Sequence, residues 1–254
     1  MAIVSFIGAG PGDPELITLK AIKRIQDAGL ILYAGSLVPE TVFLPHTTLT
    51  KESIISSADL TLEETHHLMV QAIKKNKHVA RIHTGDTAIY GAIYEQMARL
   101  DRDGIAYEVI PGISSAMAAA AALKAEFTVP DGTQTVMFTR IHGKTPVPEQ
   151  EDLEKLAAHR PTMVIFLSAH KAEAVVEKLT MHYPETTPAA IAYRVGWPDQ
   201  KIIQTTLQHI PACMADHGIN KQALILVGDT FGKTKEIKAR SVLYGKEKKV
   251  TSNA

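Results

Sequence analysis

IVSFIGAGPGDP, residues 3–14, is an apolar run that ends in glycines. Residues 3–7 make one buried strand, and the glycines after them permit positive φ and close approach of a ligand to the backbone. The dinucleotide fingerprint needs a third glycine at position 13, where Asp13 stands. Pro11 and Pro14 stiffen the loop, and no helix can start before Pro14. A stiff turn that shapes a pocket floor fits these residues better than a flexible pyrophosphate cradle.

Outward from this turn, the amphipathic residues 18–28 and the apolar run 30–33 complete a βαβ unit. The same alternation predicts strands at 78–82, 106–110, 135–139, 162–167, 189–193, 201–204, 223–227 and 240–243. Helices are expected at 62–75, 88–101, 115–125, 151–158, 172–183 and 207–217. Up to residue 125 each strand leads through a helix to another strand, which predicts a mainly parallel sheet. Later, 189–193 and 201–204 are separated only by a turn with Gly196, Pro198 and Asp199, a hairpin signal that makes the second sheet mixed. The fold class is therefore α/β with two α/β domains: 1–128 with the glycine loops, 129–245 with the mixed sheet, and a polar tail at 246–254. Pro130, Asp131 and Gly132 mark the expected boundary, and a cleft between the domains is the expected place for an active site.

The chain has 254 residues, of which 45% are hydrophobic and 21% charged, enough apolar material for a core and too much for disorder throughout. Lys and Arg total 27 and balance 27 Asp and Glu, so the basic excess of a dedicated nucleic-acid binder is absent. The single cysteine, Cys213, excludes an intramolecular disulfide and a Cys-based zinc site. No apolar run approaches the roughly 20 residues of a membrane span. Together these predict a cytoplasmic setting.

Two more turns repeat the geometry of the first. TGDTAIYGA, residues 84–92, follows the strand 78–82, and PGISS, residues 111–115, follows the strand 106–110. In the second, Asp86 is either a helix cap and nothing more, or part of a backbone site made with Gly85 and Thr87 for a small polar cofactor. Three such turns after parallel strands of one sheet would converge on one rim. Other chemistries fail on pattern. The Gly-Lys-Thr triplets at 143–145 and 232–234 have Phe138 and Val227 where a phosphate loop needs glycine. The eleven histidines show no metal spacing, and no nucleophile elbow is present. His66 and His67 read as a solvated helix face, and the chemistry should require neither a metal nor a protein nucleophile.

GAGPGDPELIT at 8–18, TGDTAIYGA and PGISS, in this order and at these intervals, resemble the tetrapyrrole (class III) methyltransferases, which use S-adenosylmethionine. The resemblance covers nearly the whole chain. YAGSLVP at 33–39 and TRIHGKTPVPEQEDL at 139–153 are similar to the branch of the family that methylates precorrin-4, with or without cobalt, at C-11 in cobalamin synthesis. The resemblance implies two α/β domains with the cofactor between them, a homodimer, and cofactor contacts at Pro11, Gly85, Asp86, Ile89, Ser114 and Ser115. In the second domain it implies contacts at Leu167, Ser168, Tyr193, Arg194 and Ala223. Two positions depart from the family: Thr87 stands where proline is usual, and Lys144 where arginine is common.

Methyl transfer from sulfonium to carbon is an in-line displacement that asks the enzyme mainly to align its reactants. A base, if needed, is expected at Asp86. The acetate and propionate groups of such a ring call for cations, and the candidates are Arg81, His83, Arg140, His142 and Lys144, with Arg194; each is alternatively a surface charge or an internal salt-bridge partner. Rival readings are methylation of uroporphyrinogen III or another precorrin, a relative acting on RNA or protein, and a binding protein or nicotinamide dehydrogenase built on the first loop.

Overall fold

The computed structural model describes residues 2–130, 132–143 and 145–232. They divide into two compact units. One runs up to Ala118 and includes Arg194–Gln200; the other is Ala119–Tyr193 with the described residues from Lys201 on. The division thus differs from the expected 128/129. Pro130 and Gly132 mark only a local turn, in which Val129 N–H donates to Thr133 O and Gly132 N–H to Val129 O. Thr162 Oγ1 donates to Phe127 O at 2.7 Å and makes that segment part of the second unit.

The first unit contains β1 (Val4–Gly8), α1 (Leu19–Asp27), β2 (Leu30–Tyr33), β3 (Ile54–Ser56), α2 (Leu62–Lys74), β4 (Val79–His83), α3 (Tyr94–Arg102) and β5 (Tyr107–Ile110), and it ends inside α4 (Ser115–Leu123). Its sheet has the order β3-β2-β4-β1-β5, and every pair is parallel. Helices cover both faces, so the strands read as nearly continuous apolar runs. Successive side chains still alternate between two cores. Ile7, Ile31, Ala80, Ile82 and Ile110 pack with Ala21 and Ile25 of α1. Val4, Phe6, Leu30, Leu32 and Val79 pack with Met69 of α2 and Leu100 of α3. Each fully buried side chain of this kind contributes roughly 1.5–3 kcal/mol. α1 starts on Thr18, whose Oγ1 accepts from Ala21 N–H, and α2 on a capping box of Thr61 and Glu64.

In the second unit, β6 (Val136–Arg140), α5 (Leu153–Ala157), β7 (Thr162–Phe166), α6 (Ala172–Thr180), β8 (Pro188–Tyr193), β9 (Lys201–Thr206), α7 (Ile210–Asp216) and β10 (Ala223–Val227) follow in order. The sheet order is β6-β7-β10-β8-β9, parallel only between β6 and β7. Met163 and Ile165, Ile191 and Ile225 face Val175 and Leu179 of α6 and Ile210 and Met214 of α7. The alternate residues of β6 and β7 help to build an aromatic cluster, with Phe138 edge-on to both Phe127 and Phe166.

The architecture is the α/β one expected, with a parallel and a mixed sheet. Two local readings differ. The short edge strand β3 was not anticipated, because Ile54 and Ile55 are too short an apolar run to signal a strand. The helix expected from Ala88 begins only at Tyr94. There the chain folds back on itself so tightly that a Cβ on Gly91 would lie 2.2 Å from Thr87 O, and Tyr90 and Ala92 take left-handed φ of 54° and 51°. The strand expected at 240–243 and the polar tail lie outside the described residues.

One polar cluster joins α1, β1 and β5. Glu108 accepts from Ser5 Oγ at 2.9 Å and pairs with Arg24 and with Lys20 at 3.1 Å. Desolvation alone would raise the Glu108 carboxyl, but the hydrogen bonds from Arg24, Ser5 and Lys20 outweigh it and hold the group down at about 2, against 4.5 ordinarily. A depressed folded pKa gives stability that is present above the unfolded value and lost as pH falls. Stability is therefore expected to fall between pH 4.5 and about 2 through this carboxylate. In urea melts at stepped pH, Glu108→Gln should flatten the decline in that window, and an unchanged slope would refute the linkage.

Candidate active site

The connection leaving β1 runs to β2 on one side, and that leaving β4 runs to β5 on the other, although β1 and β4 are neighbours. Such a switch in direction opens a crevice at the carboxyl ends of the strands, where ligands of open α/β sheets bind. The three glycine turns follow β1, β4 and β5, which stand side by side in the order β4-β1-β5.

These turns are locked through their backbones. Gly10 N–H donates to Gly85 O at 3.2 Å, and Gly85 N–H to Gly10 O at 2.7 Å, an isolated antiparallel bridge beyond the strand ends. A Cβ on Gly8 would lie 2.6 Å from Gly112 N and 2.7 Å from Gly85 O; one on Gly112 would lie 2.2 Å from Gly85 O. No side chain fits at either position. Gly85 is different: space beside it is ordinary, and its φ of 63° is what asks for glycine. Asp86 completes the lock, accepting from Ala88 N–H at 2.8 Å with Oδ1 and from Gly112 N–H at 3.0 Å with Oδ2. Both carboxylate oxygens thus serve the turns, so Asp86, the expected base, also braces the rim. Ile89 is half-buried, Ser114 is buried and caps the next turn by accepting from Ala116 N–H, and Ser115 opens α4. Pro11 is buried in the first turn.

Arg81 and His83 lie behind these turns, inside the first unit. Strand alternation puts them on the face of β4 that Val79 shares with α3. Arg81 is 7% exposed, with Nε donating to Gln96 Oε1 at 3.0 Å and Nη1 to Leu32 O at 3.4 Å. Gln96 in turn donates to Ala92 O at 2.9 Å. His83 is pushed down to about 3, first by burial and then by the neighbouring Arg81 charge, against a backbone hydrogen bond with Gly91. A neutral, buried imidazole cannot pair with carboxylates as a cation, and Arg81, buried, turns Nε and Nη1 to partners inside the unit. Both expected cations are corrected to internal supports of the second turn. Gln96 was not singled out in the sequence, although a glutamine on the stripe of Ile93 and Leu100 was the available signal.

In the second unit the expected positions gather at one edge of the sheet. Arg140 ends β6 opposite Phe166, Leu167 and Ser168 follow β7, and Tyr193 ends β8 opposite Ala223. Leu167 is 65% exposed at a left-handed φ of 52°, which its neighbours support: Ser168 Oγ donates to Phe166 O and accepts from Ile141 N–H. Arg140 donates to Thr145 O at 3.0 Å and to Pro146 O at 2.9 Å, so it braces the loop that carries the exposed His142. Lys144 lies outside the described residues. Arg194, in the first unit, stands over the Trp197 ring at 4.1 Å and 3.0 Å from Asp199. Among the described residues no cluster of His, Cys, Asp or Glu could hold a metal, and no helix is long and apolar enough to cross a membrane.

Residues 4–211 match the family described as Tetrapyrrole (Corrin/Porphyrin) Methylases. The cobalt-precorrin-4 C(11)-methyltransferase of Methanocaldococcus jannaschii is 47% identical over 96% of this chain and 93% of its own length. The precorrin-4 C(11)-methyltransferase of Pseudomonas aeruginosa is 42% identical over 90% of each. A crystal structure of a cobalt precorrin-4 methyltransferase superposes with a TM-score of 0.87 at 43% identity, covering 90% of this chain and 95% of that one. The fold is shared at a TM-score of 0.74 and 22% identity by a uroporphyrin-III C-methyl transferase of Thermus thermophilus in complex with S-adenosylhomocysteine, over 90% of this chain and 98% of the other. With its three locked turns at the switch point of a parallel sheet, this chain belongs to the tetrapyrrole methylase family.

Proposed function

We propose that this protein transfers a methyl group from S-adenosylmethionine to C-11 of precorrin-4 or its cobalt-containing counterpart. The observation that carries the reading is the backbone lock of Gly8, Gly10, Gly85 and Gly112 at the ends of β1, β4 and β5, in a chain 47% identical to a cobalt-precorrin-4 C(11)-methyltransferase over 96% of its length. The residues fit the cofactor. At the rim they present backbone groups and short hydroxyls, and the missing side chains of Gly8 and Gly112 let the turns that carry those groups close on one another.

When bound, the cofactor supplies an electrophilic methyl group on a sulfonium, which an electron-rich ring carbon can displace in line. The protein's task is to align. Holding the reacting atoms at about 3 to 3.5 Å is worth roughly 7–11 kcal/mol. Gly85, Ile89, Ser114 and Ser115 hold the cofactor, and Asp86 keeps the second and third turns at fixed separation. His83 stays neutral at working pH and so adds no charge behind the second turn. Arg140 shapes the loop that carries His142, and this loop meets the carboxylates of the ring.

Incubation with labelled S-adenosylmethionine should methylate precorrin-4 or cobalt-precorrin-4, and turnover of uroporphyrinogen III alone would overturn the assignment. Gly112→Ala is expected to abolish binding of S-adenosylhomocysteine in calorimetry, since its Cβ has no room beside Gly85 O; affinity equal to the unsubstituted protein would remove the third turn from the site. Arg140→Ala should raise KM for the tetrapyrrole about tenfold or more, as expected for losing charge-assisted hydrogen bonds of roughly 1.5–3 kcal/mol. Binding of S-adenosylhomocysteine should be spared, and the reverse pattern would refute the role of Arg140.

A further inference from the structure

The first glycine turn is held by a device outside the shared loops. The connection Arg194–Gln200 between β8 and β9 belongs to the first unit and closes on residues 11–13. Trp197 Nε1–H donates to Pro11 O at 3.1 Å. The same edge of the indole occupies the side-chain position of Gly12: a Cβ there would lie 2.5 Å from Trp197 Cδ1 and Nε1, and the φ of 139° at Gly12 already favours glycine. Next to it, a Cβ on Gly196 would lie 3.1 Å from both Pro11 Cγ and Asp13 N. Two glycines, one on each segment of the contact, therefore let the indole seat against the backbone of Gly12 and the Pro11 ring against that of Gly196. The other face of the clamp is ionic: the Arg194 guanidinium covers the indole at 4.1 Å and meets Asp199 at 3.0 Å. Gln200 accepts from Gly196 N–H at 2.9 Å and closes the connection on itself.

We infer that Trp197 is a positioning residue for the cofactor: it sets the place of Pro11 through the carbonyl of that residue and fixes Arg194 over the turn. The inference rests on the methyltransferase reading, in which Pro11 and Arg194 border S-adenosylmethionine. Thr18 and Asp13 secure the far end of the loop, where Asp13 accepts from Glu15 N–H and Leu16 N–H. The carbonyl of Pro11 has Trp197 as its partner among the described residues. A buried carbonyl left without its donor is costly, so the turn should shift when the indole N–H is removed.

Trp197 is the only tryptophan of the chain, so its emission in the unsubstituted protein reports on this contact alone. Saturation with S-adenosylhomocysteine should shift or quench that emission. Trp197→Phe keeps a ring over Gly12 and loses the N–H; it should weaken S-adenosylhomocysteine about three- to tenfold in calorimetry and raise KM for the methyl donor alike, with kcat within about twofold and the melting temperature lowered by only a few degrees. A folded Trp197→Phe protein that binds as tightly as the original would overturn the inference. If that variant does not fold, emission unmoved at saturation would do so. Absence of any S-adenosylhomocysteine binding by the unsubstituted protein would instead overturn the methyltransferase reading itself.

Discussion

Backbone meeting backbone, with no side chain between, is the constraint on which this structure depends. Gly8 and Gly112 stand where a single methyl group would fall 2.2 to 2.7 Å from neighbouring backbone atoms, and Gly10 and Gly85 exchange both of their hydrogen bonds. Only the strand order β4-β1-β5 brings these turns together, because they are separated by about 25 to 105 residues of chain. The helices that cover the sheet are therefore in the service of the rim: they hold three parallel strands in register so that their ends coincide.

A rim of this kind must be stiff, since alignment is its contribution to catalysis. The second turn is the least regular part, with two non-glycine residues at left-handed φ, each costing roughly 1–2 kcal/mol. Its geometry persists because polar side chains hold it from behind. Arg81 grips Gln96, Gln96 grips the Ala92 carbonyl, and His83 meets the Gly91 backbone. From the front, Asp86 ties the turn to Gly112. Thr87, at the position where the family resemblance implies proline, is buried, and its hydroxyl has no hydrogen-bond partner among the described residues. The rigidity a proline ring would add at that point is here supplied by the surrounding network, and a threonine with an idle hydroxyl is tolerated.

Most of the fold was legible because parallel strands covered on both faces must be continuous apolar runs. β2 and β10 begin and end where those runs do. The rim was legible too, since glycines at three strand ends have few other uses. What escaped notice depends on side-chain direction or on long-range contact. Arg81 and His83 immediately precede a glycine turn in sequence, yet the twofold alternation of β4 aims them at α3. The late start of α3 was hidden because residues 88–93 keep a helical apolar spacing while Gly91 forces the chain back onto Thr87. The partnership of Trp197 with Pro11 spans 186 residues, and no local pattern announces it.

The chemistry follows from what these side chains are not free to do. Asp86 has both oxygens committed to backbone N–H groups, and His83 is held neutral by burial. Arg81, still a cation with its pKa lowered only to about 10, is turned inward to Gln96 and a main-chain carbonyl. The first unit thus turns Arg81, His83 and Asp86 to structural roles behind and between the turns, and leaves the ends of β1, β4 and β5 to backbone and hydroxyl groups. Such a surface suits a reaction whose nucleophile is the substrate's own carbon and whose electrophile arrives already activated, because neither needs a proton moved to begin. Discrimination between ring positions must then come from how the polyacid is seated. Under the proposed function that task falls to the segment braced by Arg140, while the glycine rim serves methyl transfer itself.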